Sequence, residues 1–141
     1  MSVTTAVDTN ILLDIALWDA DFGQASLEAL TLVTEQGPLV ISPIVVAELS
    51  AAFPSPDKAR SHIASLPIEV SLIDADACLI AGTFWRRRNQ ERRSRILPDY
   101  LIAAQAAVSA DRLLTRDKGF RRLRMPNLVV VTPQELLAQV H

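Results

Sequence analysis

The sequence predicts an α/β fold, with a mostly parallel central sheet flanked by helices, formed as one domain across residues 1–141. Short β-branched and apolar runs alternate with longer stretches of helical pattern, as strands joined by helical crossovers do. Only four glycines interrupt the chain, so helices should dominate. The length of 141 residues, half of them hydrophobic, suits a single domain with one well-formed core.

Taken in order, residues 3–7 read as the first strand. Residues 10–18 and 22–36 read as helices, with an acidic turn at 19–21. Gly37-Pro38 is a turn, and residues 39–42 form a short strand. Pro43 suits a first helical turn, and that helix continues through residues 44–53. Pro54 and Pro56 end it, and residues 57–66 form another helix. Residues 68–72 alternate as a strand does. Asp74 and Asp76 are candidate caps for a long helix from 75 to about 92. Pro98 starts a further helix through 110. Residues 112–115 and 128–131 are strands, and 133–140 form a last helix. No internal repeat or low-complexity linker is present.

Net charge is −2, but its distribution is uneven. Residues 1–85 sum to −9, whereas residues 86–124 sum to +8. A basic segment in an otherwise acidic chain points to a polyanionic partner. The plainer alternative is a solvated helix face. Cys78 is the single cysteine, which excludes an internal disulfide, and its setting in "ACLIAG" suggests core packing. No apolar run reaches the length of a membrane span, and the N-terminus lacks a basic-then-apolar signal pattern. The expected location is the cytoplasm, with no membrane partner.

In open parallel sheets, ligands bind beyond the carboxyl ends of the strands. Asp8, in "AVDTNILLD", stands there. Three other acids occupy comparable positions. Glu48 lies in "IVVAELSAAF", bordering the stripe of Val45, Leu49 and Ala52, so partial burial is expected. Asp99 lies in "ILPDYLIAAQA", in the first turn of an apolar helix. Asp117 lies in "RLLTRDKGF", just past an apolar strand. Each has a structural alternative: Asp8 as a helix cap, Asp99 as a favourable charge at a helix start, Asp117 as the opening of a turn. Four such coincidences on one sheet edge are less economical than one shared cause. The remaining acids, Asp14, Asp19, Asp21, Glu28 and Glu35 among them, are expected in solvent.

Carboxylates brought together repel. One pair about 5 Å apart costs roughly 3 kcal/mol at an effective dielectric near 20. Protonation or a hard divalent cation relieves that cost. An all-oxygen set favours Mg²⁺, with Mn²⁺ able to substitute, over zinc, and His62 and His141 are too isolated for a zinc site. The arginines of "RRRNQERRSR" (Arg86, Arg87, Arg88, Arg92, Arg93 and Arg95), with Arg116 and Lys118 beside Asp117, would neutralise a phosphate backbone rather than read its sequence.

With "VDTNILLD", Glu48 in "VVAEL", "PDYLIAA" and "LLTRDKGF" in this order and spacing, the chain resembles the PIN-domain family over essentially its whole length. Within it, the chain is similar to the VapC-type toxin ribonucleases of toxin–antitoxin pairs. The resemblance implies a metal-dependent endoribonuclease in which Asp8, Glu48, Asp99 and Asp117 are catalytic and bind metal, supported by Asn10 and Thr115. It implies hydrolysis by metal-activated water, leaving a 5′-phosphate and a 3′-hydroxyl. Some members carry another acid shortly after the position of Asp117; here Phe120, Arg121 and Arg122 follow. The implied partners are an RNA substrate, a small cognate antitoxin and a second copy in a homodimer. "ILLDIALW" is apolar on more sides than one core stripe needs; either Trp18 and Phe22 stay exposed until such a protein partner covers them, or the helix is wedged fully inside the core. Two other readings stand beside this one: a catalytically inactive PIN-like module binding RNA or protein, and a receiver-like phospho-acceptor domain. The latter expects an acidic pair after the first strand, which Asp8 lacks.

Overall fold

The structure is a computed structural model that describes residues 2–90 and 95–140, with Asn89 and Gln90 described by backbone alone. The strands are β1 (Thr5–Val7), β2 (Leu39–Ile41), β3 (Ile68–Val70), β4 (Arg112–Leu114) and β5 (Val130–Val131). The helices are α1 (Thr9–Ala16), α2 (Gly23–Gln36), α3 (Pro43–Ser50), α4 (Pro56–Ala64), α5 (Ala75–Gln90), α6 (Leu97–Ser109) and α7 (Pro133–Val140). A 3₁₀ helix spans Lys118–Leu123; the sequence pattern showed only a turn there.

The five strands order as β3-β2-β1-β4-β5, and every pairing is parallel. The chain winds outward from β1 to β3, then returns to the other side of β1 as β4. Strand order therefore reverses between β1 and β4, which is where open α/β sheets form their crevice. The register pairs Val7 with Leu114. The Asp8 amide extends that ladder to the Leu114 carbonyl at 3.0 Å, and the Thr115 amide donates to Val131 at 3.0 Å. Asp8 and Thr115 thus leave the sheet side by side.

β1, β2 and most of β4 are buried, as central strands of a covered parallel sheet must be. The core runs through Val7, Ile11, Leu12, Ile41, Leu49, Tyr100, Leu113, Leu114 and Phe120. Ser42 caps α3 by accepting from the Val45 amide at 3.2 Å, and Asp74 accepts from Ala77 at the start of α5. Gly37 is required by close approach: a Cβ there would lie 2.2 Å from the Val3 carbonyl oxygen.

The structure corrects three expectations. Glu48 is exposed although Val45 and Leu49 beside it are buried; Ala52, which would have continued the stripe, lies beyond the end of α3 and is itself exposed. Asp14 is not solvated but buried; it follows Ile11 by three residues and shares its inward face. Cys78 is exposed, because the buried side of α5 runs through Ala77 and Ala81 and Cys78 lies one step round the helix. Among the described residues, no helix is long and apolar enough to cross a membrane.

Candidate metal and nucleic-acid site

Asp8 occupies the last extended position before α1 and accepts from the Thr9 amide at 2.8 Å. It is the helix cap that the plainer reading expected, but its other oxygen has a second set of partners. Thr115 Oγ1 donates to Asp8 Oδ2 at 2.7 Å, and Asn10 Nδ2 donates to the same oxygen at 3.3 Å. Asn10 also donates to Thr115 Oγ1 at 3.2 Å and accepts from the Arg116 amide. The Asp117 amide donates to Thr115 Oγ1 at 3.0 Å. Thr115 is fully buried and joins Asp8, Asn10 and Asp117 through one hydroxyl.

Burial pushes the Asp8 carboxyl up from 3.8 to about 6, against the lowering effect of the Thr115 and Thr9 hydrogen bonds. The negative charges of Glu48 and Asp99 push in the same direction as burial. Asp8 therefore shares a field with two further acids brought in on α3 and α6. α3 packs on both α1 and α6. Thr9 Oγ1 donates to Glu48 Oε1 at 2.7 Å, anchoring the exposed glutamate on α1. Sequence reasoning did not single out Thr9; a hydroxyl directly after a strand-end aspartate was the available signal.

Asp99 and Asp117 are joined by Arg95. Its Nε donates to Asp99 Oδ2 at 3.1 Å, and its Nη2 donates to Asp117 Oδ2. The Arg95 hydrogen bond holds the Asp117 carboxyl below its usual value, against the effect of burial. Asp117 also accepts from the Gly119 amide at 2.8 Å, opening the 3₁₀ helix. Arg95 lies two residues before α6, so its contact with Asp99 is made across the helix start and not along a helix face.

The other basic residues divide. Arg116 turns inward: it contacts Asp14 through two hydrogen bonds of 2.7 and 3.0 Å, and its guanidinium stacks 4.0 Å from the Phe22 ring centroid. Ser26 completes the buried Asp14 by donating at 2.7 Å. Arg86 and Arg87 are exposed on α5, and Lys118 is exposed beside Asp117. Arg88 donates to the Arg122 carbonyl. Arg92 and Arg93 lie outside the described residues, as does His141. His62 packs on Phe53, at 5.0 Å between ring centroids.

The donor set around Asp8 is all oxygen, and burial first, then the charges of Glu48 and Asp99, raise its proton affinity. A hard divalent cation answers both features. Among the described residues, no three His, Cys, Asp or Glu side chains converge closely enough to enclose a cation as they stand, and the Arg95 guanidinium spans two of the four acids.

The PIN domain family model matches residues 5–125. No curated protein sequence matches the chain. Among solved structures, the chain is similar to VapBC2 from Rickettsia felis bound to a promoter DNA fragment, with a TM-score of 0.73 and 22% identity over 92% of this chain and 98% of that one. It is also similar to a toxin-antitoxin complex from Klebsiella pneumoniae, with a TM-score of 0.65 and 25% identity over 92% and 97% of the two chains. A third similar structure is VapC20 from Mycobacterium tuberculosis, a sarcin-ricin loop cleaving toxin, with a TM-score of 0.65 and 17% identity over 87% and 97%. Fold, crevice and family match agree, and the chain belongs to the PIN domain family.

Proposed function

We propose that this chain is a metal-dependent endoribonuclease and the VapC-type toxin of a toxin–antitoxin pair. The observation that carries the proposal is Asp8: a buried carboxyl at the strand-order reversal, raised to about 6 by burial and by Glu48 and Asp99. A helix cap alone has no use for two further acids in its field. Asp8, Glu48, Asp99 and Asp117 would hold Mg²⁺, or Mn²⁺ in its place. When bound, that ion activates a water and offsets charge on the phosphodiester. Thr115 and Asn10 fix the orientation of the Asp8 carboxylate, and Thr9 fixes Glu48. Arg86, Arg87 and Lys118, exposed and basic, hold the RNA backbone. The product ends are a 5′-phosphate and a 3′-hydroxyl.

The similar structures include toxin–antitoxin complexes, which supports a cognate antitoxin as partner. Leu17, Trp18 and Phe22, all substantially exposed, give such a partner, or a second copy in a homodimer, an apolar surface. RNA and antitoxin are cytoplasmic molecules, and the proposal puts the chain with them.

The test is cleavage of a generic single-stranded RNA, and then of total cellular RNA, by the purified chain with Mg²⁺, Mn²⁺ or EDTA. Cleavage that needs metal and is lost in Asp99→Ala is the expected result. RNA bound but uncut under every condition, in both substrates, would make the chain an inactive binding module instead.

A further inference from the structure

Four acids on one sheet edge need a counter-charge, and this chain carries one of its own. Arg95 lies between Asp99 on α6 and Asp117 beyond β4, and it bonds both. The surroundings form a seat for its guanidinium. The Phe120 ring lies beneath, 4.6 Å from the guanidinium carbon to the ring centroid. Gly119 leaves the space open: a Cβ there would lie 2.4 Å from Arg95 Nη1. The Tyr100 hydroxyl lies 3.4 Å from the Arg95 amide. Aromatic face, missing side chain and two carboxylates all converge on one side chain.

Granting the nuclease reading above, we propose that Arg95 is an intramolecular latch on the metal site, holding Asp99 and Asp117 until a divalent cation displaces it. A guanidinium stays protonated throughout the working pH range, so it leaves by movement and not by losing its charge. The metal must therefore break both contacts before it gains those two carboxylates, and its apparent affinity is lowered by that competition. The displaced guanidinium is set free beside the place where the substrate phosphate would sit. Metal loading and phosphate neutralisation become one linked event, and in the absence of metal the acids stay screened.

The test is calorimetric titration of Mn²⁺ into the full chain, comparing wild type with Arg95→Gln, Arg95→Lys and Arg122→Gln. Arg122 acts on Asp117 through its charge, so its variant gives the through-space contribution alone. The latch predicts that Arg95→Gln binds Mn²⁺ at least tenfold more tightly than wild type, while Arg122→Gln stays within about threefold. Arg95→Lys keeps the charge but cannot make the forked contact, and it should fall between. Should Arg95→Gln not fold, the lysine variant decides alone: tighter binding than wild type supports the latch, and equal or weaker binding overturns it. Unchanged or weaker binding in a folded Arg95→Gln overturns the latch and leaves the nuclease reading intact. No Mn²⁺ binding by any of the proteins would overturn the nuclease reading, and the latch with it.

Discussion

Holding a carboxylate at the buried edge of the sheet costs free energy whenever Asp8 ionises, and pH reads out that cost. Its folded value of about 6 lies above the ordinary 3.8. Between those two values the folded protein keeps a proton that the unfolded chain has already lost. The folded state binds more protons there, so this group makes stability fall as pH rises from about 4 to about 6, and stay lower above. The full effect is about 3 kcal/mol. Asp8→Asn removes the titration. In metal-free buffer its stability advantage over wild type should open across that pH window, as denaturant titrations at pH 4, 5, 6 and 7 would show; a constant difference across the series would contradict it. Thr115→Val tests the same carboxylate from the other side. It deletes the hydrogen bond that holds Asp8 down and leaves the Asp117 amide without its partner. A loss of about 1–3 kcal/mol is expected, together with an acidic limb of the cleavage pH profile displaced to higher pH.

At the scale of elements, α1 is tied to the loop after β4 by an ion pair with one buried member. Asp14 is 4% exposed while Arg116 reaches it from a half-buried position. Removing only the cation leaves a buried, unpaired carboxylate, so Arg116→Met should cost about 3–5 kcal/mol in urea unfolding. Adding Asp14→Leu should recover much of that loss; a double variant no better than the single would contradict the account. This pair also shows where sequence reasoning ran out. An acid inside an apolar helical stretch was the signal used for Glu48, yet it applied to Asp14 in "ILLDIALW" with more force. The helix wheel gives neighbours on one helix, not which face the tertiary packing covers. By contrast, strand-end positions were legible, because parallel pairing fixes which end of each strand faces the crevice. Asp8 and Asp117 were located by that rule, whereas Thr115 came only from the family resemblance. The role of Arg95 was not legible, since its two partners lie on different elements and only the α6 half of the contact is local.

Across the whole molecule, an acidic body carries a basic segment next to its acids. On the proposed function, RNA attraction and metal attraction would be built from separate residues and separate signs. Replacing the exposed Arg86 and Arg87 by Gln, in the Asp99→Ala background that prevents cleavage, should weaken RNA binding. It should also flatten the salt slope by up to about 1.4, on single-strand counterion release. A slope unchanged between 50 and 200 mM salt would return those arginines to the role of a solvated helix face. The central claim, that Asp8 is held in place for a metal ion, is tested most directly by the thermal stability of wild type and Asp8→Asn at pH 7, each with and without Mn²⁺. The account predicts that metal-free Asp8→Asn melts above metal-free wild type, and that Mn²⁺ raises the melting temperature of wild type but scarcely that of the variant. An Asp8→Asn protein that melts lower than wild type and gains as much from Mn²⁺ would contradict it.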